Sequence, residues 1–316
     1  MAQIIQEYRD MIRTEIQKVI VGQDGTIDMI ILAYLAGGHV ILEGVPGLAK
    51  TILARTFARV IGSDFRRIQF TPDLMASDIT GTNIFDIGKS KFIFMKGPVF
   101  TNILLADEIN RTSPKTQAAL LETMQEKQVT VDGIRYPLSP PFMVIATQNP
   151  IEFEGTYPLP EAQLDRFLMK IVIDYPRRDS EMEVLKKFRD GFDSDTIDDI
   201  SFAPLKNSFL QECREEYGAI RVDENIIEYI QSIIEATRTH RSLILGASTR
   251  ASIYLMNTAR FIAAFDGRNY VIPDDVKRMA LPVLRHRILL HADAEIEGMK
   301  PDSIVEQILE SEKVPR

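Results

Sequence analysis

The sequence holds one cysteine, Cys213, in 316 residues, so no internal disulfide can form. Its four histidines, His39, His240, His286 and His291, are scattered without ligand spacing, and with a lone cysteine they make no zinc cluster. No stretch approaches the roughly 18 consecutive apolar residues that a membrane span needs. The apolar run around Ile30 to Tyr34 is broken almost at once. The first residues lack the basic start, apolar middle and small-residue cleavage site of a signal peptide, so a reduced, cytoplasmic protein is expected. Positive charge is not in excess either. Lys+Arg against Asp+Glu stand at 17 against 20 in residues 1–176 and 20 against 25 in residues 177–316, for a net charge of −8. Neither half carries the footprint of a DNA-binding or anionic-membrane-binding surface, although a local loop can still be basic.

What is present is globular: 45% hydrophobic and 26% charged residues exclude a disordered or fibrous chain. Residues 1–20 place Ile4, Ile5, Tyr8, Met11, Ile12, Ile16, Val19 and Ile20 on one side at helical spacing. Five short apolar runs follow, at 39–42, 67–70, 103–106, 142–146 and 168–173. Near-continuous apolar runs suit strands covered on both faces, as in a parallel sheet between helices. Helical patterns at 51–61 and 113–126 separate several of them, the second with Ser113 as N-cap and Pro114 at the first helical position. Two alternating stretches interrupt the repeat. Thr82 to Phe94 reads as one hairpin and Val129 to Tyr136 as another, with Asp132-Gly133 at its turn.

After Tyr175-Pro176 the pattern becomes helical, at 180–190, 205–217, 223–240, 248–266 and 273–286, with no convincing strand. Asp223 is placed as a helix cap, and Asp193 to Pro204 as a polar surface loop. The expected architecture is an α/β parallel-sheet domain over 1–176 and a smaller all-α domain over 177–316.

The first strand runs into Gly44-Val45-Pro46-Gly47-Leu48-Ala49-Lys50-Thr51, and a helix follows at once. Strand, glycine-containing loop, Lys-Thr and helix are the context a phosphate loop requires. Glycines let backbone N–H groups turn inward around phosphates, and the helix N-terminus adds partial positive charge. Lys50 would reach the β and γ phosphates, and the Thr51 hydroxyl would coordinate Mg²⁺. Ala49 stands where glycine is usual. Alanine suffices if that position takes helical rather than positive φ. The apolar run 103–106 leads into Asp107-Glu108. Behind a phosphate loop, Asp107 would hold Mg²⁺ and Glu108 would polarise an attacking water as general base. Arg250 falls in the first turn of a predicted helix, where the macrodipole disfavours a cation, so it wants an anion nearby.

Together these motifs resemble the AAA+ ATPases. The loop, with Asp107-Glu108-Ile109-Asn110-Arg111, is similar to the MoxR group over almost the whole chain, from Val21-Gly22-Gln23 to Leu284-Arg285-His286-Arg287-Ile288. The resemblance implies that alanine is tolerated at 49 and that Val21, Gly22 and Gln23 line an adenine pocket. It implies that Asn149 is the sensor-1 residue placing the attacking water, and that Arg166 is an arginine finger donated to a neighbouring subunit. Arg250 resembles sensor 2, facing a γ-phosphate from the lid. The hairpin at 82–94 corresponds to an insert in the second helix and that at 129–136 to the hairpin before sensor 1, both facing a central pore or the client side.

The expectation is therefore a P-loop AAA+ domain with a helical lid, using ATP and Mg²⁺ and assembled as a homo-oligomeric ring, a hexamer. It would couple hydrolysis to remodelling, assembly or metal and cofactor maturation of partner proteins, von Willebrand factor A domain proteins among them. A chelatase-type subunit, a DNA-acting motor and an ATP-dependent scaffold that barely hydrolyses are the alternatives. Cys213 is read as packing, and the spread methionines as core filler.

Overall fold

A computed structural model describes residues 3–151 and 155–315. Met1 and Ala2, at the start of the predicted first helix, lie outside the described residues. The chain opens with α1 (Ile4–Gln17) and α2 (Asp24–Leu35), then β1 (Val40–Glu43), α3 (Lys50–Val60), β2 (Phe65–Gln69) and the short α4 (Ala76–Thr80). A hairpin of β3 (Gly81–Asp86) and β4 (Lys91–Lys96) precedes β5 (Ile103–Asp107) and α5 (Pro114–Glu126). A second hairpin, β6 (Gln128–Val131) and β7 (Ile134–Pro137), precedes β8 (Met143–Gln148), α6 (Glu161–Leu164) and β9 (Met169–Val172). The rest comprises α7 (Arg178–Arg189), α8 (Phe209–Gly218), α9 (Glu224–Thr239), β10 (Leu243–Leu245), α10 (Thr249–Phe265), α11 (Pro273–Leu284), β11 (Leu289–Leu290), α12 (Ala292–Ile296) and α13 (Pro301–Ser311).

The five apolar runs are the five strands of one parallel sheet, ordered β2-β5-β8-β1-β9. Its central strands alternate between two cores. Val40, Leu42, Ile103, Leu105 and Ile145 face one cluster, while Ile41, Leu104, Ala106, Val144 and Ala146 face the other. Burial on both faces is why these strands read as continuous apolar runs. Ser113 caps α5 as expected, its side chain accepting the Thr116 N–H at 3.4 Å with Pro114 next. The Asp132-Gly133 turn carries positive φ at both residues, 49° and 79°, the geometry that matches the twist of a two-residue hairpin loop.

The first cluster does not stop at residue 176. It runs from Ile5 and Leu53 through Ile145 to Leu255, Met279 and Ile304, with α1 packed on α2, α3, α8 and α10. Arg9 and Arg13 of α1 pair with the buried Asp28 of α2 at 3.4 and 3.0 Å, and Arg9 also donates to the Phe265 carbonyl at the end of α10.

Four expectations for the C-terminal half are corrected. A two-stranded ribbon is present, β10 antiparallel to β11; at three and two residues its strands are too short to give an alternating signal. Helices α12 and α13 continue beyond residue 286. The 193–204 segment holds a 3-10 turn, Ser194–Asp199, because Ile197 is fully buried and pins it to the core. Asp223 stands at the N-cap of α9 but makes no side-chain cap bond. Cys213 is buried, its thiol pushed up to about 12 by burial and by Glu216 and Glu212, which fits packing. Among the described residues no helix is long and apolar enough to cross a membrane.

His39 sits just before β1, accepts the Val144 N–H on Nδ1 at 2.9 Å and contacts the Met124 carbonyl through Nε2 at 3.4 Å. Burial depresses its pKa to about 4. The unfolded chain takes up the proton near pH 6.5 and the folded chain does not, so the stabilisation is present above pH 6.5 and lost as pH falls toward 4. The loss amounts to about 3 kcal/mol at about 1.4 per unit. Denaturant unfolding at pH 7 and at pH 4.5 checks it: the His39→Gln variant should lose about 2 kcal/mol less than the parent over that interval.

Candidate functional site

The C-terminal edge of the sheet gathers the loop and the acids. At Gly44 an added Cβ would lie 2.8 Å from the Ile173 carbonyl oxygen at the end of β9, so only glycine lets the loop start this close to the sheet. Gly47 follows with φ 86°. Ala49, the N-cap of α3, takes φ 55° and ψ 23°, which overturns the helical backbone expected for it. The reason is local: a left-handed residue followed by right-handed helix turns successive N–H groups toward one concavity, a ready anion nest. Holding alanine there costs about 1 kcal/mol. Lys50 folds back across the loop, its Nζ donating to the Gly44 carbonyl at 2.5 Å, and Thr51 follows in the first turn of α3.

Beside the loop lies a cavity of about 440 Å³, lined by Val21, Gln23, Pro46, Leu48, Ile52, Tyr175 and Leu185 among others. Gln23 ties its wall to the loop by donating Nε2 to the Leu48 carbonyl at 3.1 Å, and Gly22 faces Ser180 of α7. An apolar slot next to an anion nest is the shape a nucleotide requires. Val45 is half-buried against the core.

Asp107 ends β5 and is buried. Its Oδ1 accepts the Thr147 hydroxyl at 2.6 Å, while Oδ2 accepts Arg67 Nε and Nη2 at 3.0 and 2.7 Å. The Thr147 oxygen also accepts the Glu108 N–H at 2.9 Å, which fixes the two acids in one frame. Glu108 is left-handed, φ 57° and ψ 50°, a strained conformation typical of functional sites. Its Oε2 accepts Gln69 Nε2 at 2.7 Å and pairs with Arg111 Nε at 3.1 Å. Asn149, just past β8, is buried, and its Oδ1 accepts the Ile151 N–H at 3.2 Å, so it also forms the turn that Asn-Pro suggests.

Arg67, Gln69, Arg111 and Thr147 escaped the sequence reading. A signal existed for two of them: Arg67 and Gln69 are two apart on a strand and so share a face. Their neighbourhood with the acids rests on the pairing of β2 with β5, where Gln69 opposes Asp107, and strand order is not written locally.

Arg166 and Arg250 stand elsewhere. The Leu168 N–H donates to the His39 carbonyl at 2.7 Å, placing the chain before β9 beside the chain before β1, at the opposite edge of the sheet from Lys50. There both arginines line a cavity of about 260 Å³ with Lys127, His39 and Tyr254. The anion that Arg250 wants at its helix start is Asp165, at 3.3 Å. β1 alone separates the two edges by about 13 Å at 3.3 Å per residue. The structure therefore brings Lys50, Thr51, Asp107, Glu108 and Asn149 to one edge and Arg166 with Arg250 to the other, and does not join the two sets within one chain.

Among the described residues no three His, Cys, Asp or Glu groups converge as a self-sufficient metal site. A hard divalent cation would instead share the Thr51 hydroxyl and Asp107 with phosphate and water oxygens. Asp107 suits that, since its outward oxygen already carries a cation, the Arg67 guanidinium.

Comparison with known proteins bears on the family and the fold. Residues 39–169 match the family model described as ATPase family associated with various cellular activities (AAA), and residues 235–308 match the AAA lid domain. The chain is 48% identical over 300 residues to the uncharacterized protein YeaC of Bacillus subtilis, covering 95% of this chain and 92% of that one. It is 43% identical over 311 residues to the Chaperone MoxR1 of Mycobacterium tuberculosis, covering 96% and 81%. The crystal structure of an ATPase candidate from Cytophaga hutchinsonii superposes with a TM-score of 0.89 at 43% identity, covering 99% and 98%.

Ala49→Gly should relieve the left-handed strain, raising the unfolding free energy by up to about 1 kcal/mol and keeping ATP affinity within about twofold. Ala49→Val should lower both, since a β-branched residue fits that backbone worst. Thermal unfolding and titration with a fluorescent ATP analogue check the pair.

Proposed function

We propose, from the premise that the chain belongs to the MoxR family of AAA+ ATPases, that it hydrolyses ATP with Mg²⁺ and works as a homo-oligomeric ring, a hexamer, on partner proteins. The observation that carries the reading is the left-handed Ala49 turn, with Lys50 folded over Gly44, at the sheet edge that also holds Asp107 and Glu108. In the proposal the base occupies the cavity walled by Val21 and Gln23, with Gly22 in the turn between them, the phosphates lie in the loop Gly44–Thr51, and Lys50 bonds the β and γ groups. Mg²⁺, held by Thr51 and Asp107, would neutralise charge on those phosphates. Glu108 accepts the proton of the attacking water and Asn149 holds that water in line. The hinge of the two proposed domains, 1–176 and 177–316, falls at Tyr175-Pro176, whose side chains line the same cavity.

Arg166 and Arg250 lie one sheet-width from their own loop, which supports a role at the neighbouring subunit's γ-phosphate for both. For Arg250 the γ-phosphate faced from the lid is then a neighbour's. A cation there stabilises charge that develops in transfer. The hairpins supply a surface for partner proteins: Phe85, Ile87, Phe92 and Met95 are exposed on the first, with Lys89, Lys91 and Lys96 around them, and an apolar patch of this kind marks an interaction site. Von Willebrand factor A domain proteins belong within this class of partner. The scaffold reading has one observation in its favour, that Glu108 is held by Gln69 and Arg111; turnover by the unmodified protein would set it aside.

Glu108→Gln should bind ATP as the parent does while turning over about 10²- to 10⁴-fold more slowly. Parent-like phosphate release from that variant would remove Glu108 from the mechanism. Mixing Arg166→Ala subunits with Lys50→Ala subunits should restore turnover above the sum of the two, because one shared site then has an intact loop and an intact arginine. Absence of rescue would place Arg166 outside the neighbour's site.

A further inference from the structure

We infer that Asp165 is the joint through which the helical half of the chain sets the position of Arg166, with buried Arg287 as the positioning residue. The inference rests on the reading of Arg166 as a residue that acts at a neighbour's nucleotide. Three donors from the C-terminal half converge on the Asp165 carboxylate. They are Ser248 Oγ at 3.2 and 3.3 Å, Arg250 Nη1 at 3.3 Å and Arg287 Nε at 2.8 Å. They come from the start of α10 and from the turn after α11, while Asp165 itself lies in the short link between α6 and β9.

Arg287 does more than neutralise that acid. Its guanidinium also donates to the backbone carbonyls of Asp165 at 3.2 Å, Leu168 at 3.3 Å and Phe167, so it grips the chain on both sides of Arg166. It donates to the Val283 carbonyl of α11 as well, and it lies 5.0 Å from the Tyr254 ring centroid. Only 5% of it is exposed. Burial and the nearby Arg250 push its pKa down, and Asp165 opposes them. A planar fork with this many fixed acceptors sets orientation as well as charge, which a lysine cannot reproduce.

Arg166 therefore hangs on a link gripped from both sides: Ser248, Arg250 and Arg287 hold Asp165, while Phe167 is buried in the sheet core and the Leu168 N–H is bonded to the His39 carbonyl. Phe167, next to it, is fully buried, which leaves the link little freedom of its own. With Phe167 fixed in the sheet core, a shift of α10 and α11 against the sheet pulls on Asp165 and turns Arg166 about that fixed point.

The test is a double-mutant cycle on the assembled full-length protein. Arg287→Lys should leave affinity for a fluorescent ATP analogue within about twofold and lower kcat about 10- to 100-fold, as misplacement of a catalytic group by roughly 1 Å does. In an Arg166→Ala background the same substitution should cost nothing further. Arg287→Lys subunits mixed with Lys50→Ala subunits should regain turnover above the sum of the two. If Arg287 is only a staple for its own subunit, its effect persists without Arg166 and mixing gives no rescue; either result overturns the inference. Should Arg287→Lys fail to fold, Ser248→Ala carries the same cycle, with kcat lowered about two- to fivefold and the effect absent once Arg166 is gone. If Arg166→Ala alone leaves turnover at the parent level, the reading of Arg166 fails, and that outcome is separable from both.

Discussion

Two backbone hydrogen bonds at the ends of β1 organise this molecule. At one end the Gly44 N–H reaches the Gln148 carbonyl, and at the other the Leu168 N–H reaches the His39 carbonyl. A parallel sheet has unlike edges, because every strand enters on one side and leaves on the other. In this chain the leaving edge carries the loop, Asp107 and Asn149, and the entering edge carries Arg166. In the proposed mechanism a single subunit then presents half of a catalytic arrangement on each side. That geometry makes assembly a condition for chemistry in the proposed mechanism, where otherwise it would be an added property.

Charge at the leaving edge is balanced from within the chain. Asp107 is bonded by Arg67, Glu108 by Gln69 and Arg111, and Glu43 by Lys170. Partly buried acids in such numbers would be costly without these partners. Any cation entering with phosphate has to compete with Arg67 for the same oxygen. The site is preorganised for charge and guarded against it by the same contacts.

Much of this was legible in the sequence. The five strands, the α3 and α5 helices and both hairpins follow from apolar runs, Ser113-Pro114 and Asp132-Gly133. The loop and the acid pair were readable because their chemistry is local. Less local features were not. Ala49 was expected to be helical, since sequence reports size and not φ. Arg67 and Gln69 needed strand order, which is a property of the assembled sheet. Arg250 was placed by its helix dipole, and the dipole was satisfied by Asp165, 85 residues away. The ribbon β10–β11 and the buried Ile197 were hidden because segments this short are decided by packing and not by period.

The two hairpins touch. Asn83 bonds Asp132 at 2.6 Å and the Phe94 and Tyr136 rings stack with centroids 4.0 Å apart. Mechanically they make one arm with a double root, one leg planted before β5 and the other before β8, the strand that leads to Asn149. An arm of six-residue strands reaches about 20 Å, so a rotation of about 10° at its root displaces its tip by roughly 3–4 Å. A displacement of that size equals one residue of extended chain.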